Sequence, residues 1–128
     1  MCFYIDLKHS KIKVATKDIT CYKRIRDTFQ PEHYHSSDSG DCAAIMESYK
    51  LNEPNKIVPL IIDKSSCIIN KGYHSYSNKK SLDLLLQKRD RKLIKVLCII
   101  PKDTKYYYNS LYREYVSETI IIKKIIIQ

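Results

Sequence analysis

The chain contains 128 residues, of which 44% are hydrophobic and 29% are charged. These values are typical of one globular domain (residues 1–128) that can bury a core without disulfide bonds. The formal net charge of +9 favours partners that carry negative charge, such as nucleic acid, nucleotides or acidic proteins.

The cysteines and the apolar runs indicate a reduced, cytoplasmic protein. The chain contains no CxxC pair, which would predict a zinc site, and His33 and His35 have no third ligand nearby in the sequence. We therefore expect no metal. The N-terminus lacks the pattern of a signal peptide, and no apolar run approaches the roughly 20 residues of a membrane span. We therefore expect five free thiols, most of them buried: Cys2, Cys21, Cys42, Cys67 and Cys98.

The first half of the chain predicts strands, a polar loop and a helix. Residues rich in β-branched and aromatic side chains predict a short strand near residues 2–6 and a firmer one near 19–25. The polar stretch that follows, with Pro31 and Gly40, predicts a loop. Beyond it the sequence predicts a helix over 41–51 and short strands within 57–62 and 65–70.

The second half predicts another helix and the strongest strands. "GYHSYSN" (72–78) leads into a leucine-striped helical pattern over 78–92, and "LIKVLCII" (93–100) is the best strand pattern in the chain. The sequence predicts a short strand or an extended piece over 105–109, and one long strand or a bent pair over 115–127. We expect an α+β fold: a compact, mixed and mainly antiparallel β core, split or two-sheet, with about six strands and two helices.

Three segments follow one another along the chain: "CYKRI" on an early strand, "GYHSYSN" before a helix, and "VLCIIPKDTKYYYN" followed by "YVSETIII". In this order they resemble the mono-ADP-ribosyltransferase family of the arginine–serine–glutamate class. The resemblance is strongest over residues 72–122. It implies the core fold of that family and NAD⁺ as the cofactor. The chain is also similar to small uncharacterised proteins of gut bacteria and their phages that carry "CYK", "GFHSY" and "IPKG" segments.

The resemblance implies a catalytic pair and a cofactor-binding set. Glu118 matches the late glutamate that stabilises positive charge as nicotinamide leaves, and Ser75 matches the first serine, which positions the ribose. Lys23 stands where the family has the phosphate-binding arginine. The remaining matched positions are Arg24 at the glycine after that arginine, Gly72 before the serine strand, Tyr76 for the middle threonine, and Ser77 for the last serine.

The same resemblance marks departures from the family pattern. Val116 stands where the family has an acceptor-selecting Glu or Gln, and Asp103 replaces the glycine of the Pro-x-Gly-Thr turn. If the resemblance extends to the site, Lys23 or Arg24, Ser75 and Glu118 should converge on one crevice. Because successive strand residues point to opposite faces, only one of Lys23 and Arg24 can face it.

The same residues also have structural interpretations. Gly72 can be a turn glycine, His74 a surface or satisfied core histidine, and the tyrosines over 106–108 strand and core aromatics rather than a base-stacking platform. Three functions remain open. The first is a cytoplasmic interaction or accessory protein that could be phage-encoded and bind a protein partner. The others are an NAD-dependent transferase or nucleotide binder, and a nucleic-acid-binding protein. We expect no membrane partner.

Overall fold

The computed structural model describes residues 3–4, 11–26, 29, 49–63, 68–69, 72–80 and 93–127. These residues form ten strands, four of which contain two residues. In chain order they are β1 (Phe3–Tyr4), β2 (Lys13–Val14), β3 (Ile19–Arg26), β4 (Ile62–Asp63), β5 (Ile68–Ile69), β6 (Tyr73–Tyr76), β7 (Leu93–Ile100), β8 (Lys105–Asn109), β9 (Glu114–Ser117) and β10 (Ile121–Ile127).

Two antiparallel sheets are built from these strands. The larger has seven strands in the order β10-β7-β3-β6-β9-β8-β2, and the smaller has three in the order β1-β5-β4. The longest pairing joins β3 to β7 along the full length of both strands, from Ile19 opposite Ile100 to Arg26 opposite Leu93. By contrast, β3 and β6 are paired only at Tyr22 and Tyr76.

The chain passes from β9 to β10 within residues 117–121, although three other strands lie between them in the sheet. In a flat sheet the four strand spacings would separate β9 and β10 by about 19 Å. Four residue steps reach at most about 14 Å. The sheet must therefore curve strongly, and the single paired position between β3 and β6 lies within the curved part.

The prediction of an α+β fold with two helices is wrong, because the described chain is nearly all antiparallel β-sheet. The end of the first predicted helix is extended. Tyr49 N–H donates to Phe29 O at 2.6 Å, Leu51 forms a parallel bridge with Ile122, and Asn52 N–H donates to Ile122 O at 2.8 Å. Pairing with β10 thus replaces helical hydrogen bonds there. Residues 41–48 of that helix lie outside the described residues.

Of the second predicted helix, only the first residues are described. Lys79 and Lys80 have helical backbone, and Asn78 Oδ1 accepts a hydrogen bond from Lys80 N at 2.8 Å, as an N-terminal cap does. Residues 81–92 lie outside the described part. Among the residues that the structure describes, these two lysines are the only helical ones.

Alternating residues of the central strands form the main core. In β7 every second side chain is buried, and these pack with buried residues of β3, β6 and β10 and with Tyr49 and Val58 of the segment that crosses them. The buried members are Cys21, Ile25, Tyr49, Val58, Tyr73, Ile94, Val96, Cys98, Ile100, Ile120 and Ile122.

A second, smaller core lies on the opposite side of β8 and β9. There Tyr107 and Val116 pack with Ile69 of β5 and with the half-buried Leu60. The three-stranded sheet therefore covers this part of the seven-stranded sheet through Ile69.

Candidate functional site

Strand β6 lies inside the molecule and carries Ser75 and Tyr76, two of the seven residues that the family resemblance selects, while Gly72 and Ser77 flank it. All four residues of Tyr73–Tyr76 are buried. Because side chains alternate along a strand, Tyr73 and Ser75 point to the main core, whereas His74 and Tyr76 point to the other side of the sheet.

Lys23 lies on the main-core side, close to β6. Its side chain is only 6% exposed. The Nζ atom donates a hydrogen bond to the carbonyl oxygen of His74 at 2.6 Å and lies 5.7 Å from the centroid of the Tyr49 ring. These contacts hold the ammonium within the protein and join β3 to β6, where the strands share one paired position.

Cys21 connects Lys23 to Ser75. It lies opposite Cys98 on β7, and both cysteines are free thiols and fully buried. Burial raises the pKa of the Cys21 thiol, but hydrogen bonding with Cys98 and Ser75 and the charge of Lys23 outweigh it and lower the pKa. The Ser75 side chain is 0% exposed. The other three cysteines lie outside the described residues.

A second buried polar cluster lies on the opposite side of the same strands. It contains Arg24, 7% exposed, together with His74, Tyr76 and Glu114. His74 Nδ1 lies 4.0 Å from Glu114 Oε1. Sequence reasoning assigned the functional carboxylate to Glu118 and missed Glu114. The sequence did contain a signal for Glu114. It lies two residues before the apolar Val116 in a strand pattern, which places both side chains on one face of the sheet.

Glu118 lies apart from these clusters, in the connection between β9 and β10. Its backbone N–H donates to Lys105 O at 3.1 Å, and its carbonyl accepts from Val58 N at 2.8 Å. The half-exposed carboxylate has no hydrogen bond or ion pair in the described part of the chain. The described contacts thus bring Lys23 and Ser75 together at Cys21, but none joins Glu118 to them.

Gly72 has a packing role. Its φ of +128° belongs to a region that residues with a side chain rarely adopt. A Cβ atom built on it would lie 2.6 Å from Leu60 Cδ2 and 2.7 Å from Val116 Cγ2. Gly72 therefore lets the start of β6 approach the second core, and Val116, at the family's acceptor-selecting position, is part of that core.

Three half-buried tyrosines form a continuous aromatic row on the other face of β8 and β9. The Tyr106 and Tyr115 ring centroids are 5.9 Å apart and edge-on, and those of Tyr108 and Tyr115 are 4.7 Å apart. Alternation separates this row from Tyr107, which is a core residue as the strand and core interpretation predicts. Burial, followed by the proximity of Tyr108, Cys21 and Tyr106, raises the pKa of Tyr115.

Exposed cations border this aromatic row. Lys13 on β2 lies opposite Tyr106, and the exposed Lys11 precedes it by two residues. At the other end, the Tyr108 hydroxyl lies 3.3 Å from Ser77 Oγ, just before the exposed Lys79 and Lys80. We call Tyr106, Tyr108, Tyr115, Lys11 and Lys13 the tyrosine–lysine surface.

Comparison of the chain with protein-family models, with curated proteins and with solved structures found no match. The resemblance to ADP-ribosyltransferases and its NAD⁺ site therefore stay predictions. Within the described ranges, no helix has the length and apolar character needed to cross a membrane. The same ranges contain no group of three or more His, Cys, Asp or Glu side chains that could hold a metal ion.

Proposed function

We propose that this chain is a non-catalytic interaction protein of the cytoplasm that binds an acidic macromolecule through its basic surface. The observation that carries this proposal is the imbalance of exposed charge. Of the acidic side chains described, Asp18, Glu53 and Asp103 are exposed. The exposed cations are Lys11, Lys13, Lys17, Lys50, Lys56, Lys79, Lys80, Lys102, Lys105, Arg113, Lys123 and Lys124.

The burial of the residues selected by the resemblance supports a non-catalytic role. A serine that positions ribose and a cation that binds phosphate must both contact the cofactor. Ser75 is 0% exposed and Lys23 is 6% exposed, and the Lys23 ammonium is already bonded to the His74 carbonyl. Exposing them would require the main core to open beside Tyr49 and Tyr73.

Binding of simple polyanions tests the proposal. Fluorescence anisotropy should detect binding of a labelled oligonucleotide or a labelled polyglutamate to the full chain at about 50 mM salt. Affinity should fall steeply at about 200 mM salt, because neutralised charges release counterions. Replacing Lys11 and Lys13 by glutamate should weaken binding more than the same change at Lys123 and Lys124. Failure of both polyanions to bind would contradict the proposal.

The transferase alternative has its own test. Calorimetry with NAD⁺ and an assay of nicotinamide release, with cell lysate as the acceptor, are applied to the wild type and to Glu118→Gln. We expect no binding at millimolar NAD⁺ and equal background release from both proteins. Micromolar binding together with release that depends on Glu118 would replace the proposed function with NAD⁺ chemistry.

A further inference from the structure

We infer that the tyrosine–lysine surface is a binding site for single-stranded nucleic acid, with the tyrosine rings as a stacking platform for bases and the lysines as phosphate contacts. The inference rests on the proposed function and names the class of its partner. It depends on the placement of five side chains that lie far apart in the sequence and are brought together by strands β2, β8 and β9.

The rings are held in place before any ligand arrives. Tyr115 packs against the main core and contacts both neighbouring rings, so it supports Tyr106 and Tyr108 from below. The Tyr108 hydroxyl lies 3.3 Å from Ser77 Oγ. Tyr106 and Tyr108 are half-buried, so each presents part of its ring to solvent while its backbone belongs to a central strand pairing. A rigid aromatic group loses little conformational entropy on binding, which favours affinity.

The flanking charges match a strand that alternates bases and phosphates. Lys13 lies directly across from Tyr106, and Lys11, Lys79 and Lys80 are exposed at the two sides of the row. An acidic peptide would use these cations but would leave the aromatic row without a flat partner. A single strand uses both, because unpaired bases stack on aromatic side chains while phosphates contact lysine.

A duplex fits this surface less well than a single strand. Its base faces are already stacked, so half-buried tyrosines on a sheet cannot contact them without unpairing.

The test compares probes and variants of the full chain. Labelled oligothymidylate and oligouridylate of about 12 nucleotides, a duplex of the same length and polyglutamate are titrated at about 50 mM salt. Tyr106→Ala and Tyr108→Ala should each weaken single-strand binding at least about fivefold, whereas Tyr106→Phe keeps the ring and should bind normally. The matched control is Tyr112→Ala, which removes an exposed ring at the hairpin tip, outside the tyrosine–lysine surface, and should bind normally.

Intrinsic fluorescence gives a second readout that needs no substitution. The chain has eleven tyrosines and no tryptophan, so stacking of bases on tyrosine should quench its emission as the single strand binds. Tighter binding of one of the two single strands would identify the RNA or the DNA form as the ligand.

Three results would overturn the inference. One is equal binding of duplex and single strand, and another is full affinity in both alanine variants. In a third, polyglutamate binds as tightly as the oligonucleotides and competes with them. That result would overturn the inference about single strands, but the proposed binding of an acidic macromolecule would stand. If no polyanion binds, the proposed function fails together with the inference.

Discussion

At the scale of single residues, Gly72 is a position in the described part of the chain where the backbone tolerates no side chain without strain. A methyl group there would overlap Leu60 and Val116, and the φ of +128° adds strain for any side chain. We expect Gly72→Ala to lower the free energy of unfolding by about 1–3 kcal/mol. Urea denaturation followed by circular dichroism measures this change.

The control for Gly72→Ala is the opposite substitution, to glycine, at Asp103, which also has a positive φ. It has a φ of +71° in the turn that joins β7 to β8, where Thr104 N–H donates to Pro101 O at 3.2 Å. The resembling family has glycine at this position, and Asp103→Gly should raise the free energy of unfolding by up to about 1 kcal/mol. A neutral Gly72→Ala, or equal losses in both variants, would show that the backbone geometry at these positions is different.

The faces of single residues were predictable, but their burial was not. Strand alternation predicts that Lys23 and Arg24 point to opposite sides of β3, and they do. Both side chains are buried, although lysine and arginine are seldom buried. The hydrogen-bond acceptor of Lys23 is the carbonyl of His74, 51 residues away, and nothing in the local pattern predicts such a contact.

At the scale of secondary structure elements, the edge strand β10 combines an isoleucine-rich sequence with features that oppose association. Lys123 and Lys124 are exposed, and the pairing with β7 shifts register between Ile122 and Lys124. Charged residues and irregular pairing protect sheet edges from other chains. We expect the double variant Lys123→Ile, Lys124→Ile to aggregate in size-exclusion chromatography at concentrations where the wild type does not.

The control for this prediction changes two lysines away from a sheet edge. Lys17 and Lys102 are exposed in the connections from β2 to β3 and from β7 to β8, so Lys17→Ile, Lys102→Ile makes the same change in charge and hydrophobicity. Equal aggregation of the two double variants would attribute the effect to lost charge and not to the edge of β10.

The strands were more predictable than their arrangement. Residues 93–100 and 105–109 form strands with the predicted bounds, because β-branched and aromatic residues dominate them. Over 115–127 the sequence predicts one long strand or a bent pair, whereas the chain forms two separate strands, β9 and β10, with three other strands between them in the sheet. The two-residue strand β2 was missed, since so short a segment depends on its partner β8. The order of strands follows from distant pairings that periodicity does not encode.

At the scale of the whole molecule, the curved sheet separates a buried polar interior from a basic exterior. The same strand order that buries Lys23 and Ser75 places Tyr106, Tyr108 and Tyr115 in one row beside Lys13. The excess of positive charge and the abundance of tyrosine are visible in the sequence. Alternation along 105–109 places Tyr106 and Tyr108 on one face, but the sequence could not predict that Tyr115 and Lys13 lie beside them, because that depends on the pairing of β2, β8 and β9.

The central claim is that this molecule binds a polyanion through the tyrosine–lysine surface and does not use NAD⁺. Amide chemical-shift mapping of the isotope-labelled chain, titrated separately with oligothymidylate and with NAD⁺, tests it most directly. We predict that oligothymidylate shifts amides in residues 11–14, Lys105–Asn109 and Glu114–Ser117, and that NAD⁺ shifts none. Shifts at Ser75 and Glu118 with NAD⁺, and none with oligothymidylate, would contradict the claim.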